Sequence, residues 1–410
     1  MKKQLSILLC CSLLSGTAIS LNWTPKSNFA PGTRSGAFSF SVNLKGYVGS
    51  GVVQVGSSIS VVNDLWEYDK TLDTWTQKAS HPAGGRVSAA TFTALNKGYL
   101  TTGYDLVNYL NDTWSYDPAQ NSWQQMASFP GDPRYTAACF DVSDYGFVGM
   151  GKSGGYYSDF YRYNAASDTW TAITDIPGTA RQSAKGFSID DYGYVVGGAV
   201  EPTGHNSKEL WRYDPISDIW VQKTDYPGNG SYGFAAFVVS GLGYVGTGTA
   251  LGAGPTAVYN DFYSYSPGND AWTQLVNFGG GIRASSVSMT IGNSGFVGLG
   301  TTQIFPLINY QNDWWTFDNP TGIQEPQNNN DVTVYFNSEN NLVINTGIPV
   351  NEKTNVMIHN SLGQLVSTAE LYQNQKEVIL KNMDPARGVY FYSLAGISGS
   401  TRSGKVLFIN

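Results

Sequence analysis

The strongest constraint on this chain is a spacing that recurs along its first three quarters. The run Asn63-Asp64-Leu65-Trp66-Glu67-Tyr68-Asp69 returns at residues 111–117 and 158–164, with further copies opening at Lys208-Glu209, Asn260-Asp261 and Asn312-Asp313. Eleven residues after the acid comes a tryptophan: Trp75, Trp123, Trp170, Trp220 and Trp272. Eleven further on stands an arginine, Arg86, Arg134, Arg181 or Arg283, with Ser231 in the odd copy. Twelve more residues reach a Gly-aromatic pair, Gly98-Tyr99 being the first complete example, and a second glycine follows five residues later. A period of 47 to 52 residues marks a fold made from repeated copies of one supersecondary unit.

The sixth acid, Asp313, has no tryptophan after it, but the other end of the chain supplies one. Trp23 is followed at eleven residues by Arg34 and at twelve more by Gly46-Tyr47. The first strand of the chain is thus expected to complete the last unit, which pairs the two ends and leaves no terminal sheet edge loose. Each unit reads as four short strands. Small residues form the innermost, as in Ser88-Ala89-Ala90-Thr91-Phe92, and Tyr and Trp fill the wider outer strands. The 47 glycines and the low charged fraction of 13% agree with short strands and tight turns.

A glycine pair ending one strand, then a Tyr and a Trp about seven residues apart, resembles the kelch repeat of the galactose oxidase/kelch-type superfamily. The resemblance covers residues 21 to about 318, with Thr101-Thr102 before Gly103, and Tyr161 and Tyr263 at tryptophan positions, as departures. It implies an all-β fold: a six-bladed kelch-type β-propeller over 21–320, closed by its N-terminal strand.

All the length variation between repeats falls between the second glycine and the next acid. In a four-stranded antiparallel unit that segment and the arginine turn lie on the same face, so one face is expected to carry every variable loop. Binding residues usually sit on loops held by a rigid scaffold. Two sets of candidates follow. Arg34, Arg86, Arg134, Arg181 and Arg283 either ring an anionic ligand, as guanidinium groups do well, or bond carbonyls of their own turns. Tyr104, Tyr109, Tyr156, Tyr157, His205, Tyr259, Phe305 and Tyr310 either receive a glycan or protein ligand or pack against adjacent loops.

Signals for chemistry are sparse, and no catalytic residue, metal ligand set or cofactor is assigned. The three histidines, His81, His205 and His359, offer no pair of the kind the copper site of galactose oxidase requires, and Cys139 falls in an inner strand. The Asn-Asp pairs occur once per repeat and do not converge as calcium ligands must. Carboxylates meeting at the axis remain open as a carbohydrate-active site resembling that of a kelch-type sugar epimerase, and a structural or adhesive surface role is the third reading. A net charge of −7 without a basic run argues against nucleic acid.

Residues 1–20 read as a secretory signal peptide, with Lys2-Lys3, an apolar run from Leu5 to Leu14, and Ala18-Ile19-Ser20. No stretch is long enough for a transmembrane helix. Residues 321–331 read as a polar linker, and 332–410 as about seven short strands in a small Ig-like β-sandwich. The order Met357-Ile358-His359-Asn360-Ser361-Leu362-Gly363-Gln364-Leu365-Val366, then Gly388-Val389-Tyr390-Phe391-Tyr392, then Gly404-Lys405-Val406-Leu407-Phe408-Ile409-Asn410 resembles the type A C-terminal sorting domain of the Bacteroidetes type IX secretion system. The resemblance implies a secreted or cell-surface protein whose tail, 332–410, engages that machinery.

Overall fold

Because the inner-strand residues alternate large and small, each strand buries one side against a neighbouring sheet and turns hydroxyls or small groups to the other. Phe38-Ser39-Phe40-Ser41-Val42 alternates buried and half-buried in this way, as do Ala90–Ala94 and Ala138–Val142. The structure, a computed structural model, describes residues 22–56, 58–200, 206–250, 257–302, 309–318, 333–336, 342–346, 349–360, 365–380, 388–396 and 401–408. The expected signal peptide and linker lie outside the described residues. The chain divides into two compact units, Met1–Asn319 and Pro320–Asn410. Among the described residues it is all-β, and no helix is long and apolar enough to cross a membrane.

Among its described residues the first unit has six four-stranded antiparallel sheets, here numbered I to VI. Sheet I comprises Phe38–Val42, Lys45–Gly49, Leu65–Asp69 and Thr74–Lys78. Sheet II comprises Ala90–Ala94, Lys97–Thr101, Thr113–Asp117 and Ser122–Met126. Sheet III comprises Ala138–Val142, Tyr145–Gly149, Phe160–Asn164 and Thr169–Ile173. Sheet IV comprises Lys185–Ile189, Tyr192–Val196, Leu210–Asp214 and Ile219–Lys223. Sheet V comprises Ala235–Val239, Leu242–Gly246, Phe262–Ser266 and Ala271–Gln274. Sheet VI comprises Val287–Ile291, Ser294–Gly298 and Trp314–Asp318, and its fourth strand is Asn22–Lys26, with Trp23 opposite Phe317.

The inner strands are Phe38–Val42, Ala90–Ala94, Ala138–Val142, Lys185–Ile189, Ala235–Val239 and Val287–Ile291. Inner strands neighbour one another from I through VI, and VI meets I again, a propeller-like arrangement. Hydroxyls stitch them together: Thr91 donates to the Ser39 carbonyl at 2.7 Å, Ser39 to Ser288 at 3.1 Å and Ser288 to Ala236 at 2.8 Å. Glycine permits the close fit between sheets. A Cβ on Gly146 would lie 2.3 Å from the Phe92 ring of sheet II, and Gly98 meets Phe40 and Gly295 meets Phe237 in the same way. Outer tryptophans then cap inner-strand phenylalanines edge-on, Trp170 on Phe92 and Trp123 on Phe38.

The second unit pairs Thr333–Phe336, Leu342–Asn345 and Glu377–Leu380 in one sheet, and Leu365–Leu371, Thr354–Asn360, Gly388–Gly396 and Thr401–Phe408 in another. Leu342, Ile344, Leu380, Val356, Ile358 and Leu394 from both sheets share one apolar core.

Candidate functional site

The residue after each arginine position pairs with the start of a variable segment: Ser35 with Val52, Val87 with Tyr104, Tyr135 with Lys152, Gln182 with Ala199, Tyr232 with Thr249 and Ala284 with Thr301. Several segments then fold back on themselves, Tyr104 against Tyr109, Lys152 against Tyr156 and Thr301 against Tyr310. The variable segments are therefore short hairpins rooted on the arginine turns, and both occupy one face.

The arginines themselves are not presented on that face. All five are 2% exposed or less. Arg34 forms a two-pronged pair with Asp64 (2.7 and 2.9 Å) and donates to the Ser50 carbonyl at 2.9 Å. Arg86–Asp112, Arg134–Asp159 and Arg283–Asp313 repeat this fork. Arg181 bonds Glu209 at 2.5 Å and also the Ser207 hydroxyl. Of the two roles read from the sequence, an anion ring or bonding within the turns, this geometry is that of the second. Each guanidinium is consumed within its own sheet by a carboxylate and a carbonyl, because a buried charge is tolerable only when paired and bonded. Tyr157 belongs to the same internal packing, its ring 3.9 Å from the Arg134 guanidinium carbon.

What the face does present is a group of tyrosines spanning the hairpins of sheets II and III. Tyr104, Tyr109 and Tyr135 have ring centroids 5.1 to 5.6 Å apart, and Tyr109 stacks on Tyr135 with 23° between planes. Tyr109 is 39% exposed. The hairpin carrying it is held by Asp105, whose carboxylate accepts the amides of Val107 at 2.8 Å and Asn108 at 2.6 Å. Those amide bonds hold the Asp105 carboxyl below the usual carboxylate range. Lys152 lies 5.4 Å from the Tyr156 ring centroid, and Gln182 donates to the Tyr156 hydroxyl at 3.1 Å. Burial pushes the Tyr135 phenol up, with Lys152 opposing. Burial raises Tyr232 as well; the Thr249 hydroxyl opposes this and Tyr156 adds to it. Beside the group runs an open groove of about 510 Å³, whose walls include Val107, Tyr109, Asp132, Pro133, Ser153 and Tyr157.

Of the residues singled out from the sequence, Tyr104, Tyr109 and Tyr156 belong to this group. Tyr259 and Tyr310 sit on the segments of sheets V and VI, and among the described residues no ring contact joins them to it. His205 and Phe305 lie outside the described residues. Tyr135 and Tyr232 were missed, although a fixed signal exists for them: the position one past each arginine.

A second, smaller feature is a cavity of about 80 Å³ among the inner strands, with Thr91, Cys139 and Lys185 on its wall. Burial pushes the Lys185 ammonium below its usual value and raises the Cys139 thiol. One turn of strand further on, burial raises the Asp141 carboxyl against the bonds it accepts from the Thr93 hydroxyl and amide. Among the described residues no three His, Cys, Asp or Glu side chains gather as a metal site.

No family model matches the chain, and no curated protein matches it. Solved structures do. One titled "Structure of YjhT" aligns with a TM-score of 0.58 at 14% identity, covering 70% of this chain and 95% of that one. At that identity the likeness speaks for a shared propeller-like fold alone.

Proposed function

We propose that the chain is a secreted or cell-surface binding protein: a six-bladed kelch-type propeller whose loop face takes a glycan or protein ligand, followed by a small Ig-like domain that directs type IX export. The observation that carries the binding reading is the Tyr104, Tyr109 and Tyr135 group beside an open groove. Flat rings edged with hydroxyls suit the apolar faces and hydroxyl rims of sugars, and equally suit extended peptide. Repeat spacing, the six sheets and the strand pairing of Trp23 with Phe317 support the architectural part. For the tail, support comes from the order of its sequence signals alone.

Glycan and peptide arrays probed with the full chain test the binding reading, which fails if no ligand is retained. Deleting residues 332–410 tests the export reading. Periplasmic retention is expected, and unchanged export would refute it. A carbohydrate-active enzyme at the channel mouth is the second reading, favoured by one observation, the cavity of about 80 Å³ among the inner strands that has Lys185 and Cys139 on its wall. Turnover of a free sugar that Lys185→Met abolishes would favour that reading over binding.

A further inference from the structure

Sheet V departs from the other five in its charge balance. In sheets I, II, III, IV and VI the acid that opens the third strand is paired with a buried arginine. In sheet V the acid is Asp261, and the arginine position is Ser231, itself buried. Asp261 is only 6% exposed, and among the described residues no salt bridge reaches it. Its Oδ2 accepts the Asn229 amide at 2.8 Å and the Asn229 side-chain nitrogen at 3.3 Å. Among the described residues its Oδ1 has no hydrogen-bond partner, and neither has the buried hydroxyl of Tyr226.

Other residues replace the bulk of the missing arginine but not its charge. Phe234 stands where the other sheets have Ala37, Ala89, Ala137, Ala184 and Ser286, and packs edge-on against Tyr226 at 5.2 Å. Lys208, just before the third strand of sheet IV, gives its ammonium to the Gly228 carbonyl at 2.6 Å. Asp261 acts on Tyr226 directly, its charge adding to the burial that raises the phenol. The Thr247 carbonyl occupies the position whose counterparts Ser50, Thr102, Met150 and Leu299 accept the arginine fork elsewhere. A carboxylate buried without a countercharge is strongly disfavoured. The two unpartnered buried atoms, Asp261 Oδ1 and the Tyr226 hydroxyl, are both oxygens, the donor type that suits a hard cation. A single carboxylate balances a single positive charge.

We propose that sheet V binds a monovalent alkali cation, sodium or potassium, at Asp261 Oδ1 and the Tyr226 hydroxyl, where the other sheets carry a guanidinium. The ion is structural, tying the Tyr226–Ser231 turn to the start of the third strand, and it is independent of the loop-face ligand.

The test is thermal melting of the full chain in choline, sodium and potassium chlorides at one ionic strength. Melting should rise saturably with sodium or potassium over choline, by about 2–4 °C, and the preferred ion identifies the occupant. Asp261→Asn should abolish the difference between salts. Ser231→Arg with Phe234→Ala, which rebuilds the arrangement of the other sheets, should also melt identically in all three salts, and it carries the test if Asp261→Asn fails to fold. The proposal is overturned if the wild-type chain melts at one temperature in all three salts, or if either variant keeps the wild-type salt response.

Discussion

Asp168 accepts the backbone amide of Ala127 at 2.8 Å, reaching from sheet III to the end of sheet II. The same carboxylate takes the Tyr163 hydroxyl at 2.7 Å, and the Ala127 carbonyl takes the Trp170 indole N–H at 2.8 Å. Asp168 holds a φ of 53°, a conformation Asp and Asn tolerate better than most residues. This clasp recurs at Asn121 on Ala79, Asp218 on Thr174 and Asp270 on Thr224. At Asp73 it grips Ser27, just past the N-terminal strand, with Trp75 donating to the Ser27 carbonyl. Asp168→Ala should cost about 1–3 kcal/mol, the usual penalty for orphaning buried bonding groups. Asp168→Asn should cost less, since Asn121 fills the same role. Urea unfolding of both variants checks the order.

The arginine–acid forks predict a different pattern. Arg134→Ala should destabilise by about 3–5 kcal/mol, because it strands the Asp159 carboxylate beside a buried gap. Adding Asp159→Asn should recover part of that loss, so a double-mutant cycle should show coupling.

Close sheet packing yields a steric prediction. Gly146→Ala places a methyl 2.3 Å from the Phe92 ring, with stiff sheet on both sides. Overpacking of this kind costs about 1–3 kcal/mol. Phe92→Leu on the same background should restore part of it, measurable by thermal melting.

His81 predicts a dependence on pH. It is buried edge-on to Trp114 and Trp123, and its Nδ1 proton is donated to the Gly84 carbonyl at 2.9 Å. Burial, with Arg86 adding to it, lowers its pKa from 6.5 to about 4. The unfolded chain therefore binds this proton first on acidification. The stability due to neutral His81 is complete above pH 6.5 and is lost as pH falls toward 4. The full effect is about 3 kcal/mol. His81→Phe should flatten the stability profile between pH 6.5 and 4.5.

Much of the scaffold was legible because its markers are tied to single strands. Asp64, Trp75, Arg86 and Gly98 recur at fixed offsets, and each offset corresponds to a strand and its turn. The clasp at Asp73, Asn121, Asp168, Asp218 and Asp270 was equally regular, two residues before each tryptophan. It passed unnoticed because its partner is a backbone amide in another repeat, which leaves no residue type to read. The arginines were legible in position but not in role, since a guanidinium suits a buried carboxylate as well as an exposed anion site. The site itself was only half visible. Tyr104, Tyr109 and Tyr156 stood in variable segments, whereas Tyr135 and Tyr232 occupy a position filled elsewhere by Ser35, Val87, Gln182 and Ala284. Irregular use of one position shows in a sequence only once the fold places that position on the loop face.

Ligand binding is proposed at the tyrosine group on the loop face. It is tested most directly by measuring, by calorimetry, the affinity of the full chain and of Tyr109→Ala and Tyr135→Ala for a ligand captured on the arrays. Each substitution should weaken binding tenfold or more, about 1.4 kcal/mol, while Tyr310→Ala on the segment of sheet VI leaves it unchanged. Equal affinity for all four proteins, with their folds intact, would contradict the account.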